Sequence, residues 1–412
     1  MNGYIFYLMA AQTVLILRRV LDFNYAGSVS DWFFILVFAL YCRFSFPDLI
    51  FSPSPDVPVT LLILIATWLM VNIAANIGEA NGGGASYPGN AVLILASGAV
   101  SFKLGAIPLL GVSVICYLLA RGFSLRKAFA ASAIVAPFAV IHAWVSTVTS
   151  GCPLYPTPYL CTDLPWSLGS ENARNISAST FEFLKWVGPP PPDASSFNWL
   201  WHTPLNHNLY NDKPLMLGLL VANVLCGAWL YIRRNKINRI ALIYTALVAF
   251  SGIGFTIFKL PHLRFGLGFF LVVPALTFAS LLVNLSPLRI KGISDLNKIR
   301  IPLLLIAAYF TIMPMASAFY DSQFTFASPD AVNKYFADRA QGFAIWAREV
   351  VPPADGKIMK GNNFLYYRPT KSPLPNNPPL CWGAREPCAQ EILSNVWLKD
   401  EKAGFSEGFI KR

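Results

Sequence analysis

FSPSPDVPVTLLILIATWLMVNIAAN, residues 51–76, decides the class of fold. No charged residue stands between Val57 and Asn76, and about 20 such residues as a helix cross a ~30 Å hydrocarbon core. Asp56 sits just before the run, where a carboxylate can accept amide hydrogens that lack partners at a helix start. Pro58 falls in the first turn, where its missing donor costs little. Comparable runs recur along the chain, which is 55% hydrophobic and only 13% charged, against about 25% charged in soluble domains. The expected fold is therefore all-α and transmembrane, a polytopic helical membrane protein.

Ten candidate spans are read at roughly 3–17, 29–46, 58–77, 90–102, 105–120, 128–149, 214–232, 239–258, 265–286 and 301–319. The first span and segments 90–102 and 105–120 are short, which leaves eight or nine spans as the alternative count. The last two fit either one long element kinked around Lys103 or two short helices that dip and return. The domain reading is a polytopic transmembrane domain over 1–320 and a C-terminal tail over 321–412.

Charge assigns the sides. Arg121, Arg126 and Lys127 lie between two spans, Arg233, Arg234, Lys236 and Arg239 between two others, and Arg289, Lys291, Lys298 and Arg300 between another pair. Such Lys/Arg-rich turns face the cytoplasm. The alternating loops 150–213 and 259–264, and the tail after 320, are then extracytoplasmic. Ten spans also put Arg18 and Arg19 inside and 51–58 outside, so five loops agree. The N-terminus falls outside. Its positive charges follow the apolar stretch MNGYIFYLMAAQTVLIL, the reverse of a signal peptide. The formal charge of +11 is spent on these boundaries and not on a basic face interleaved with aromatics, which argues against nucleic acid as a partner.

The external loop opens with TSGCPLYPTPYLCTDLPW, 149–166, whose four prolines stop any helix. Seven cysteines fall into two groups. Cys42, Cys116 and Cys226 lie in or beside spans and read as small apolar filler. Cys152 and Cys161 share the loop, and Cys381 and Cys388 share the tail, in a compartment that permits disulfides. Local pairs are expected, with cross-pairing between loop and tail left open. There is no CxxC and His202 and His207 are five apart, which disfavours structural zinc. The tail holds FASPDAVNKYFADRAQGFAIWAREVVPP, where a helix is expected, and a proline-rich segment. It is short for an independent core and is expected to fold back on the external face.

Polar residues gather at the outer boundary: Asp56 before one span, and Lys259, His262 and Arg264 in FKLPHLRFGLGFF before another. Asp163, Glu171, Glu182, Asp193, His202, His207 and Asp212 occupy the long loop. A lipid headgroup reaches a protein at this depth. Arg and Lys hold phosphate oxygens by charge-assisted bonds, and a carboxylate can take a proton from an acceptor hydroxyl. The roles read are Asp56 as base or metal-bound carboxylate, with magnesium or manganese as the compatible ions, and His262 as auxiliary acid or binder. Lys259 and Arg264 are read as phosphate binders, and His202, His207 and Asp163 as further substrate contacts. Plainer readings stand beside each: a helix cap for Asp56, interface anchors for Lys259 and Arg264, and ordinary loop residues for the histidines. Asn175-Ile176-Ser177 fits a glycosylation acceptor. No nucleotide-binding loop, HExxH or GxSxG occurs, and carboxylates deep within spans, which ion-coupled carriers favour, are scarce.

FSPSPDVPVTLL at 51–62, KLGAIPLL at 103–110, SGCPLYPT at 150–157, LRFGLGFF at 263–270 and CWGAREPC at 381–388 form an ordered series. In it the chain resembles poorly characterised bacterial multi-span proteins similar in topology to GT-C membrane glycosyltransferases. The resemblance implies transfer of a sugar from a polyprenyl-phosphate donor to a glycan acceptor at the external face of the bacterial inner membrane. It places the family's Ser-Pro-x-x-Asp element on Ser52, Pro53 and Asp56, its boundary arginine on Arg264, and its tail cysteines on Cys381 and Cys388. It also implies a region ahead of residue 1, so an N-terminal truncation, or a separate partner chain, is expected. The leading expectation is a lipid-linked sugar transferase or surface-polysaccharide assembly enzyme. The alternative is a transporter or lipid flippase, or a non-enzymatic component of envelope biogenesis. A pocket opening sideways to lipid with Asp56 near Arg264 would favour transfer, and a pore crossing the bilayer would favour transport.

Overall fold

The computed structural model describes residues 2–20, 27–49, 55–77, 89–119, 123–164, 167–186, 213–234, 238–285, 308–309, 311 and 313, and the strands at 356–360, 365–369, 396–398 and 409–411. Two compact units result, one from 1–142 with 177–316, the other from 143–176 with 317–412.

The first unit is helical. It contains α1 (Asn2–Val20), α2 (Val29–Leu49), α3 (Asp56–Ile77), α4 (Gly89–Phe102) and α5 (Ile107–Leu119). α6 (Leu125–Ser150) belongs to it as far as His142 and α7 (Gly169–Trp186) from Ser177, and α8 (Lys213–Ile232), α9 (Arg239–Lys259) and α10 (Leu263–Leu285) complete it. Among the described residues five helices, α3, α6, α8, α9 and α10, are long and apolar enough to cross a membrane, while α4 and α5 are shorter apolar helices. This is a multi-span membrane protein. The expected tenth span, 301–319, lies almost wholly outside the described residues, as does the helix expected in the tail.

α4 and α5 settle the choice left open at Lys103. A 3-10 turn, Leu104–Ala106, separates them. Gly89 and Val92 from the start of α4 line one crevice with Cys116 and Tyr117 from the end of α5. The chain therefore goes out and comes back as two short helices. Gly105 makes the reversal tight: a Cβ there would lie 3.0 Å from Leu260 Cδ1, just beyond α9.

α10 is the centre of the bundle, packed by α2, α3, α8 and α9. Its residues from Phe269 to Leu276, Pro274 aside, are apolar and almost completely buried, as expected of a helix apolar all round. Lipid tails offer no hydrophobic drive between helices, so close van der Waals packing over small residues does this work. A Cβ on Gly252 would sit 2.1 Å from the Phe269 ring, one on Gly266 2.2 Å from Thr256 Oγ1, and one on Gly268 3.0 Å from Ile63. α6 and α8 differ: most of their apolar surface is exposed, including Phe129, Val140 and Trp144 on α6 and Val221, Val224 and Leu225 on α8, as for helices covered by lipid.

Pro274 inside α10 removes the amide that would have bonded the Phe270 carbonyl. Asn223 of α8 replaces it, donating from Nδ2 to Phe270 O at 2.8 Å and to Leu219 O at 2.8 Å. Thr277 Oγ1 donates back across to Cys226 O at 3.4 Å. A neighbouring helix thus satisfies the carbonyl freed by the proline, as membrane helices require. Some other buried hydroxyls bond their own helix, among them Thr67 to Ile63 O and Thr256 to Gly252 O.

The two ends of the unit sort as the charge pattern requires. Asn238 caps α9 by accepting from Ile240 N and Ala241 N, and donates to Ala74 O near the end of α3 at 2.7 Å. Asn238, just before α9, thus meets the far end of α3. Segments 55–56, 103–106 and 260–264 share the opposite end. Which end faces the cytoplasm rests on the Lys/Arg balance.

In the second unit the proline-rich segment forms a closed lobe. Cys152 and Cys161 are joined by a disulfide, and Thr162 donates from its amide and its hydroxyl to Gly151 O, at 2.8 and 2.9 Å. Leu168 N donates to Ser150 O at 3.0 Å, returning the chain to the end of α6. Gly151 has φ +77°, and a Cβ would lie 2.2 Å from Ser167 Oγ, so only glycine fits. α7 then begins within a segment read from sequence as loop. The tail contributes two antiparallel strand pairs, β1 (Gly356–Lys360) with β2 (Leu365–Pro369) and β3 (Val396–Leu398) with β4 (Phe409–Lys411), which the sequence reading did not anticipate.

Candidate functional site

α3 starts at Asp56 with Pro58 in its first turn. The Asp56 carboxylate is 1% exposed and lies between two cations. Lys103 Nζ, from the α4–α5 turn, donates to Oδ1, and Arg264 Nε, from the first turn of α10, donates to Oδ2 at 2.5 Å. Lys103 also lies over the Phe265 ring, 3.4 Å from its centroid, a cation–π contact that adds to the ion pair.

The register of two helices builds this arrangement. α3 and α10 run side by side in the same direction, with Asp56 beside Arg264. One turn deeper, a Cβ on Gly268 would come 3.3 Å from Thr60 O. That close approach fixes where the Arg264 guanidinium ends up. His262 precedes α10, and Arg264 N donates to its Nδ1 at 3.3 Å while Phe265 N donates to its carbonyl at 3.1 Å. His262 therefore organises the start of the helix that carries Arg264.

Burial penalises charge, and removal of an isolated carboxylate from water is prohibitive. Here two cations offset it, and the start of α3 adds a favourable dipole. Burial pulls the Lys103 ammonium below the ordinary lysine range, and the Asp56 carboxylate opposes that pull. Among the described residues one carboxylate stands against two cations, which leaves a net positive charge. Lys103 is 20% exposed and Arg264 37%, so the surplus is reachable from outside the bundle.

Of the residues read from the sequence, Asp56 and Arg264 meet directly, and His262 meets the backbone of Arg264. Lys259 is not in the cluster: it ends α9 exposed, and Lys103 takes the place given to it. Asp163 is exposed in the disulfide lobe of the second unit. His202, His207, Cys381 and Cys388 lie outside the described residues. Lys103 was legible as a lone charge between two apolar segments on the same side as 51–58 and 259–264. His142 was missed as well. It lies within α6, its Nδ1 3.3 Å from Ser101 O, two residues before Lys103. Among the described residues no three His, Cys, Asp or Glu side chains stand together as metal ligands. A magnesium or manganese site centred on Asp56 would need ligands from elsewhere.

The profile of a domain of unknown function, DUF8201, matches residues 1–271. That is about two-thirds of the chain and takes in all three members of the Asp56 cluster. The protein belongs to the DUF8201 family. No curated protein and no solved structure matches it. DUF8201 membership fits a polytopic α-helical membrane protein and carries no link to GT-C glycosyltransferases in particular.

Proposed function

We propose that this DUF8201 protein binds the anionic headgroup of a membrane lipid at the outer boundary of the bacterial inner membrane, as a transporter, flippase or non-enzymatic envelope component. The observation that carries this reading is the commitment of Asp56 to Lys103 and Arg264. A carboxylate held by two cations is a poor general base, because taking up a proton would break both ion pairs. The same geometry suits a phosphate. Arg264 and Lys103 are prepositioned, desolvated on one side and carry one charge more than Asp56 neutralises, which a phosphate oxygen can complete. Polyprenyl phosphate is the lipid of choice, since the site stands at headgroup depth and a sugar or glycan on the phosphate would project outward.

The test is retention of undecaprenyl phosphate, with phosphatidylglycerol as competitor, by the full chain in nanodiscs, read by native mass spectrometry. Arg264→Gln and Lys103→Met are expected to lower retention, and Lys259→Gln to leave it unchanged. Equal retention by all three variants would refute the reading. Glycan transfer by the wild type that disappears in Asp56→Asn, with lipid retention intact, would replace it with the transferase.

A further inference from the structure

The proline- and cysteine-rich lobe, residues 151–164 with 167–168, is left unused by the lipid-headgroup site. Its bonding is dense for a loop: the Cys152–Cys161 disulfide, the paired bonds from Thr162 to Gly151, and turns closed by Tyr155 N to Cys152 O and Thr157 N to Leu154 O. Within this frame two adjacent side chains point outward. Tyr159 is 70% exposed and Leu160 73%. Leu160 adopts φ +62°, a left-handed conformation that costs a non-glycine residue about 1 kcal/mol or more. An apolar side chain is thus held exposed, at a conformational cost, on a cross-linked platform.

The platform stands on the end of a lipid-facing helix. Gly151 N bonds Thr147 O and Leu168 N bonds Ser150 O, so both ends of the lobe are tied to the last turn of α6. That end of α6 exposes Trp144, Val145 and Val148. The exposed apolar residues at this end of α6 are followed, past the helix end, by a lobe that displays a tyrosine and a leucine. Tyrosine favours the headgroup level, where its ring is shielded and its hydroxyl stays wet.

We infer that the disulfide-closed lobe is an interfacial anchor, with Tyr159 and Leu160 inserted into the headgroup region of the leaflet that α6 reaches at Ser150. The disulfide and the Thr162–Gly151 bonds keep this pair at one height relative to the end of α6. The anchor does not depend on the headgroup site at Asp56.

A fluorescent amino acid in place of Tyr159, with the disulfide intact and the full chain in liposomes, tests this. Quenching by lipids carrying a headgroup nitroxide should exceed that of the same probe at exposed Asp163 by at least about twofold, with aqueous iodide showing the opposite order. Leu160→Asp should reduce nitroxide quenching at 159 while peptide mapping still finds the Cys152–Cys161 bond. Iodide quenching as strong at 159 as at 163 would overturn the anchor by placing Tyr159 in water. Protection from both quenchers would overturn it equally, by placing Tyr159 under protein.

Discussion

Replacing Asp56 by asparagine keeps the shape of the side chain and removes the charge that holds Lys103 and Arg264 together. Removing one partner of a fully buried ion pair costs about 3–5 kcal/mol, because the other charge is left uncompensated. Lys103, 20% exposed, is near that regime. Arg264, 37% exposed, is screened, and its pair is closer to the ~0–1 kcal/mol of surface bridges. Asp56→Asn should therefore destabilise by about 3 kcal/mol, at the low end of the buried range. Lys103→Met should cost less, since Asp56 keeps Arg264, and Arg264→Gln about 1 kcal/mol. The double variant Asp56→Asn/Lys103→Met should recover about 1–2 kcal/mol relative to the sum of its parts, because contacting charges couple. Reversible unfolding by SDS titration in mixed micelles, followed by circular dichroism, measures all four. Asp56→Asn within about 0.5 kcal/mol of wild type, the ordinary range for surface changes, would refute the energetic reading of the cluster. Strict additivity in the double variant would refute the Asp56–Lys103 coupling.

Gly252→Ala and Gly266→Ala should each destabilise by about 1–3 kcal/mol through overpacking against Phe269 and Thr256. Gly111→Ala and Gly218→Ala, with nothing within 4 Å of the new Cβ, should be neutral or stabilising in the same titration. Asn223→Leu should cost about 1 kcal/mol or more, by leaving the Phe270 carbonyl without its donor. It should also speed amide exchange in α10 around Pro274, whereas unchanged exchange would count against the α8–α10 bond. Mapping of peptides under non-reducing conditions should recover 152 linked to 161, and a 152–381 or 161–388 peptide would refute the local pairing.

Sequence carried the class of fold well, because apolar length and flanking charge are direct consequences of a bilayer. The segments around Asp56, Lys103 and Arg264 were placed on one side by charge alternation, and the contacts agree. What sequence did not show was which cation reaches Asp56. Lys259 and Lys103 are both boundary lysines, and the choice depends on the short α4–α5 return and on the approach of Gly268 to Thr60, which are packing properties. The amphipathic α7 was hidden because Gly169–Trp186 mixes charged and apolar residues and follows a proline-rich segment that reads as loop. The strands of the tail were equally hidden, since three to five residues carry little periodic signal.

The bond from Asn223 to the carbonyl freed by Pro274 makes two distant positions depend on each other. An amide at 223 is welcome only while residue 274 withholds its own hydrogen. With alanine at 274 the α10 ladder would close, and the asparagine would keep a buried donor with nothing across the interface to receive it. Homologues that lose this proline should therefore carry a hydrocarbon side chain opposite. A sequence family with asparagine retained and proline absent would mean that the two helices meet differently there.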